Sequence, residues 1–207
     1  MIDPKHARYL ERGVTDVRRR DRRLDDEPWI DRFLERAPYG SLAFSFDSRP
    51  FIHTNLFWYA GGIVYLHTGG VGRFRAMIEA SAVPACFSVS EHGRILPAST
   101  PMDFSTEYAS VVLYGTIEVV GDPAEKKRAL EGLMAKYAPQ LVPGRDYVPM
   151  PDSDIDLTSV FRIEVRDRIA KHNVKPADYP AYSYAGESFI AAEREAGRVT
   201  VKPKEIA

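Results

Sequence analysis

With one cysteine, Cys86, in 207 residues, no internal disulfide can form, and no Cys/His spacing resembles a zinc site. Cys86 lies in the apolar run Ala85-Cys86-Phe87-Ser88-Val89, where a buried, unreactive thiol is expected rather than a nucleophile. No apolar run is long enough to span a membrane. Neither sign of charge dominates: 28 basic and 29 acidic residues leave a formal net charge of −1. Nucleic acid is therefore not an expected partner. No Ser/His/Asp set and no paired carboxylates fall at a recognisable spacing, which argues against a hydrolase. Internal repeats and low-complexity segments are also missing. The first residues, with Asp3, Lys5, Arg8 and Glu11, do not read as a signal peptide. A cytoplasmic protein without membrane or nucleic-acid partners is expected.

What the chain does have is a core: 44% of its residues are hydrophobic and 11% aromatic. The length suits one domain with trimmings or two small ones. Residues 1–27 are dominated by mixed charge, including Arg18-Arg19-Arg20-Asp21-Arg22-Arg23, and read as a solvated arm. Pro28 suits a first helical position, and Trp29, Ile30, Phe33, Leu34 and Ala37 recur at helical spacing. Pro38 and Gly40 stop that helix.

A β-rich block follows. Leu42, Phe44 and Phe46 alternate with Ser41, Ala43 and Ser45 as in a half-buried strand. Turns at 47–50 and 60–62 separate strand patterns over 41–46, 51–59 and 63–68. A helix is expected over about 73–81, then a strand over 84–90 turned by Glu91-His92-Gly93. Residues 107–120 form the longest strand pattern, where Gly115 marks a bulge or a close backbone approach. Asp122-Pro123-Ala124-Glu125 reads as a helix start that buries Leu130, Leu133, Met134 and Tyr137. Residues 138–157, with four prolines, read as an irregular loop. Val160, Ile163 and Val165 belong to a last strand, and the tail carries a helix pattern over about 187–196. Short hairpin connections favour an antiparallel barrel, mainly β with peripheral helices, over a doubly wound sheet.

The chemistry concentrates in Ile63-Val64-Tyr65-Leu66-His67-Thr68-Gly69-Gly70-Val71-Gly72-Arg73-Phe74-Arg75. A β-branched run passes through three glycines into two arginines and a helix pattern. Glycines let backbone N–H groups approach a ligand, and a helix N-terminus favours negative charge. Arg73 or Arg75 can fork onto a phosphate. The segment therefore reads as a grip on a phosphorylated cofactor, the alternative being a flexible loop with solvated arginines. It is neither a P-loop nor a dinucleotide fingerprint, because the spacing of both is missing.

Two further features stand beside it. His67 sits at the strand end next to the glycines, where it can bond a phosphate or face a cofactor ring. In Phe51-Ile52-His53-Thr54-Asn55-Leu56-Phe57-Trp58-Tyr59, polar residues interrupt an aromatic strand. His53 and Asn55 face one side, Thr54 and Leu56 the other. A ring-shaped ligand could lie along this strand; an ordinary barrel strand with satisfied polar groups is the alternative.

Three segments resemble the nitroimidazole-resistance family of the pyridoxamine-phosphate-oxidase-like flavin-binding split barrels. They are Tyr65-Leu66-His67-Thr68 with Val71-Gly72-Arg73-Phe74-Arg75, Ile95-Leu96-Pro97 with Pro101, and Tyr108-Ala109-Ser110-Val111 with Tyr114-Gly115-Thr116. The likeness runs from about residue 20 to 175. It implies an antiparallel split β-barrel over 28–175, between a charged arm (1–27) and a tail (176–207). It further implies a homodimer with FMN, rather than FAD, at the subunit interface, and a small-molecule substrate. By resemblance His53, Thr54, Asn55 and Leu56 line the flavin ring. His67, Thr68, Gly72, Arg73 and Arg75 surround the phosphate, and Ser110 lies near the flavin. His67 matches the family's functional histidine. Lys171 and Asn173 resemble a Gly-Lys-x-Asn ending in which Ala170 replaces the glycine. The implied activity is reduction of small electron-poor compounds such as nitro-aromatics. A pyridoxamine 5'-phosphate oxidase-type oxidase and a non-catalytic flavin or haem-binding module remain alternatives.

Overall fold

The computed structural model describes residues 3, 7, 9–80, 82–183, 195 and 196. The tail helix expected over 187–196 lies outside the described residues, Glu195 and Ala196 apart. The elements in chain order are β1 (Arg23–Leu24), α1 (Glu27–Arg36), β2 (Gly40–Phe46), β3 (Arg49–Asn55), β4 (Trp58–Ala60) and β5 (Ile63–Gly69). They continue with α2 (Arg73–Ala80), β6 (Val83–Leu96), β7 (Ser105–Val119), α3 (Pro123–Tyr137), α4 (Asp152–Asp156) and β8 (Thr158–Asn173). No described helix is long and apolar enough to cross a membrane.

By contacts the chain forms two compact units, Met1–His92 with Tyr108–Val174, and Gly93–Glu107 with Lys175–Ala207. One sheet runs β3-β2-β6-β7-β8-β5-β4, with β1 added on β8. The pairs β1–β8, β2–β3, β2–β6, β4–β5, β5–β8 and β7–β8 are antiparallel, and the fold is the expected antiparallel split barrel. The open seam falls between β3 and the β4–β5 edge. There Asn55 Nδ2 donates to the carbonyl oxygen of His67 at 2.7 Å, a side chain joining β3 to β5.

Alternation explains the core. Leu42, Phe44, Val64, Leu66, Phe87, Val111, Leu113 and Phe161 point into the main cluster, where α1 adds Ile30 and Leu34. Tyr65 and Val160, on the opposite face, pack with Leu130 and Leu133 of α3 in a second cluster. Asp26 caps α1 by accepting from Trp29 N, and Asp122 caps α3 by accepting from Glu125 N. The 47–48 turn holds Asp47 and Ser48 at φ 49° and 56°, as a two-residue hairpin loop requires.

Several expectations need correction. Residues 51–59 are two strands, because side chains replace the ladder at Leu56 and Phe57. Leu56 N donates to Asn55 Oδ1, Phe57 N donates to Tyr137 Oη, and Tyr137 Oη donates to Phe57 O. No turn forms at Glu91-His92-Gly93; β6 continues to Leu96, and the Cα of Gly93 packs close to Glu107. β8, 16 residues long, is the longest strand, and none of its charged side chains is buried. The proline-rich loop contains α4, whose first-turn Asp152 and Asp154 complement the helix dipole. The segment before α1 is not wholly solvated: Val17 is buried, and Arg23 and Leu24 pair with Lys171 and Ala170. Cys86 is half-buried, because alternation gives the inward positions to Ala85 and Phe87. The bulge at Gly115 is present: a Cβ there would lie 2.0 Å from the carbonyl oxygen of Glu164.

The second unit turns on Arg94, which forks onto Glu107 at 2.8 and 2.7 Å. It also donates to the carbonyl oxygens of Lys175, Pro176 and Ala177. The guanidinium holds the Glu107 carboxyl down at about 2.

Candidate functional site

The passage from β5 to α2 brings three glycines to the start of a helix. Gly72 has φ +153°, which side-chain-bearing residues rarely adopt. Ala76 N donates to Gly72 O, so α2 begins directly after that glycine, leaving its first N–H groups outside the helical ladder. Gly70 lies so close to Leu157 that a Cβ would fall 2.5 Å from its carbonyl oxygen.

The two arginines differ. Arg75 is a strut: it donates to Ser159 Oγ at 2.9 Å and pairs with Glu79 one turn along α2. Ser159 Oγ in turn donates to Gly70 O at 3.2 Å, tying the loop to β8. Arg73 lies over the Phe51 ring at 5.0 Å, with no carboxylate in ion-pair range among the described residues. Arg73 is therefore the cation left for a ligand.

The expected ring-lining residues divide between two faces. His53 stacks on Phe74 at 4.6 Å, in contact with the main core, and its Nε2 lies 3.4 Å from Asn55 Nδ2. Thr54 points outward and shares a 2.8 Å hydrogen bond with Ser41. Leu56 follows the strand end, 43% exposed. Thr68 Oγ1 donates to Gly69 O. His67 lies opposite Val160 in the β5–β8 register and so shares a face with Tyr65 and the second cluster. Its Nδ1 is buried with no hydrogen-bond partner, and burial pushes the imidazole pKa below its ordinary value.

Ser110 is not brought to this place. It pairs with Lys171, whereas His67 pairs with Val160, eleven positions earlier on β8. At the usual rise that is about 36 Å along the strand. Two cavities of about 500 and 430 Å³ flank α3 and contain none of the expected site residues.

Ser159, Phe51 and Phe74 were not expected at the site. Ser159, fully buried, had one signal, a small hydroxyl entering the apolar run Val160-Phe161. The two aromatics read only as core.

The antiparallel split barrel places Arg73, without a carboxylate partner among the described residues, at a glycine-lined helix start. The sequence profile of the Pyridoxamine 5'-phosphate oxidase family matches residues 26–172, and the chain belongs to that family. No curated protein matches it. Three solved structures share its fold. The flavocytochrome Anf3 from Azotobacter vinelandii has a TM-score of 0.71 at 20% identity, covering 95% of this chain and 91% of its own. An FAD and heme binding protein from Mycobacterium smegmatis has 0.64 at 17%, covering 90% and 91%. A candidate 5-nitroimidazole antibiotic resistance protein from Bacteroides thetaiotaomicron has 0.60 at 20%, covering 72% and 86%.

Proposed function

We propose that the protein binds FMN and, as a homodimer, reduces small electron-poor compounds, nitro-aromatics among them. The observation that carries this reading is Arg73, a cation with no carboxylate partner among the described residues, at the start of α2 beside Gly72. A phosphate there meets free N–H groups, the positive end of a helix dipole and one guanidinium. The orphaned His67 Nδ1 agrees, since a buried polar nitrogen gains from a partner brought by a ligand. FMN, when bound, supplies the redox chemistry. Arg73 and the loop backbone hold the phosphate, Ser159 and Arg75 keep the loop in shape, and His67 holds or moves a proton beside the ring. The separation of Ser110 from His67 fits a site assembled from two copies, with Ser110 contributed by the second.

The ligand released on denaturing the purified protein tests the reading: FMN supports it, and FAD would relocate the cofactor's second half. Arg73→Ala should weaken FMN binding by roughly 1.5–3 kcal/mol, read by flavin fluorescence titration. His67→Ala should slow reoxidation of the photoreduced holoprotein by a nitro compound by about 10²–10⁴ in stopped flow. Undiminished FMN affinity in the first variant would move the phosphate elsewhere. A second reading, a flavin and haem-binding module, draws on the 95% and 90% of this chain spanned by the flavocytochrome and the FAD and heme binding protein. A Soret band in the purified protein would favour it.

A further inference from the structure

Lys136, near the end of α3, has no part in the flavin reading. Its Nζ donates to Leu34 O at 3.0 Å, in the last turn of α1. The amine also stands 3.5 Å from the centre of the Phe57 ring and 5.2 Å from that of Tyr137. Among the described residues no carboxylate comes within ion-pair distance of it. One carbonyl accepts from one of its three N–H groups, and ring faces are weak partners for the others. Burial without a counter-ion lowers its pKa to about 8, against the smaller opposing pull of Glu35.

Lys136 lines the 500 Å³ cavity together with Trp58, Tyr59, Gly132, Pro139 and Glu35. Trp58 is a rigid wall there. Its indole lies against the α3 backbone at Gly132, where a Cβ would stand 2.3 Å from the ring, and stacks on Tyr65 at 5.4 Å. Lys136, a cation without an ion pair among the described residues, and the flat wall of Trp58 line one cavity of ligand size, which is a recognition geometry.

We propose that this cavity binds a small planar aromatic monoanion, its carboxylate on Lys136 Nζ and its ring against Trp58. The anion supplies the missing counter-charge in a partly desolvated place, where such a pair is stronger than in water. Glu35, exposed at the same cavity, repels any anion there, a dianion more than a monoanion. The lining residues include none from the Gly70–Gly72 loop, so the inference stands or falls apart from the flavin reading.

Benzoate is the probe, titrated by calorimetry into the full-length protein as purified. Trp58 emission is followed in a Trp29→Phe background, where it is the sole indole. Saturable binding is expected near pH 6.5, about thirtyfold weaker near about pH 9.5 as the amine loses its proton. Tyr59, which also lines the cavity, is raised by burial and by the nearby Asp31 charge, and Tyr137 is raised by burial. Neutral benzamide should bind at least tenfold more weakly, and Lys136→Met should abolish benzoate binding. Lys136→Arg, the check against a folding defect, should keep binding and lose its pH dependence. The proposal is overturned if benzoate does not saturate, if benzamide binds equally, or if Lys136→Met with an unchanged thermal midpoint keeps the affinity.

Discussion

His67 and Ser159 face each other's strands across β5 and β8 but depend on burial in opposite ways. His67 has a buried nitrogen without a partner and a pKa held below its ordinary value by desolvation. The folded state then prefers the neutral ring. Its contribution to stability is complete above the unfolded pKa of about 6.5 and is lost as pH falls through the depressed folded value. Wild type should therefore lose more stability than His67→Gln between about pH 6.5 and 5, measured by urea midpoints. Parallel curves would place His67 in water. Ser159 is fully buried with both capacities used, accepting from Arg75 and donating to Gly70 O. Ser159→Ala should cost about 1–3 kcal/mol in denaturant unfolding, because one guanidinium N–H of Arg75 and the Gly70 carbonyl lose their partner. A loss below a few tenths would mean that water replaces the hydroxyl.

Among the elements, β7 and β8 show how a single residue governs a long pairing. Their register shifts between Tyr114 and Gly115, and the shift lets the Glu164 carbonyl approach the Gly115 Cα. Gly115→Ala places a methyl 2.0 Å from that oxygen, so backbone must move. The expected outcome is loss of amide exchange protection along β7 and β8 on both sides of the bulge, read by hydrogen exchange. Protection lost only at residue 115 would show a pliable ladder. Gly115 was legible in the sequence because a glycine inside a β-branched run has few other uses. The break at Leu56-Phe57 was not, since it depends on Tyr137, eighty residues away. The missing turn at Glu91-His92-Gly93 has the same cause: polar residues that suit a turn also suit the exposed face of a strand.

For the molecule as a whole, the question is whether one chain makes a complete site. Tyr39, 59% exposed, and Ile52, 75% exposed, lie on or beside the outer face of the β2–β3 hairpin. Together with Leu56 they leave apolar surface suited to a partner. If Arg73 and His67 of one copy and Ser110 of another share a cofactor, neither Arg73→Ala nor Ser110→Trp alone should keep full flavin binding. Heterodimers formed by coexpressing the two variants should regain one intact site. Light scattering showing a monomer at micromolar concentration, or no recovery on coexpression, would count against the shared site. The alternation of Leu42, Phe44 and Phe46, the caps at Asp26 and Asp122, and the passage from β5 through glycines to α2 were all legible from the chain. Each rests on neighbours within a few residues, where backbone geometry and hydrogen bonding act locally. The division of His53 and Asn55 from Thr54 between faces was legible too, through the two-residue period of a strand. The engagement of Arg75 by Ser159, the freedom of Arg73, the isolation of Lys136 beside Trp58, and the distance from His67 to Ser110 were decided by the tertiary structure. They depend on which distant strands and helices meet, and burial and pairing across such contacts have no local signature.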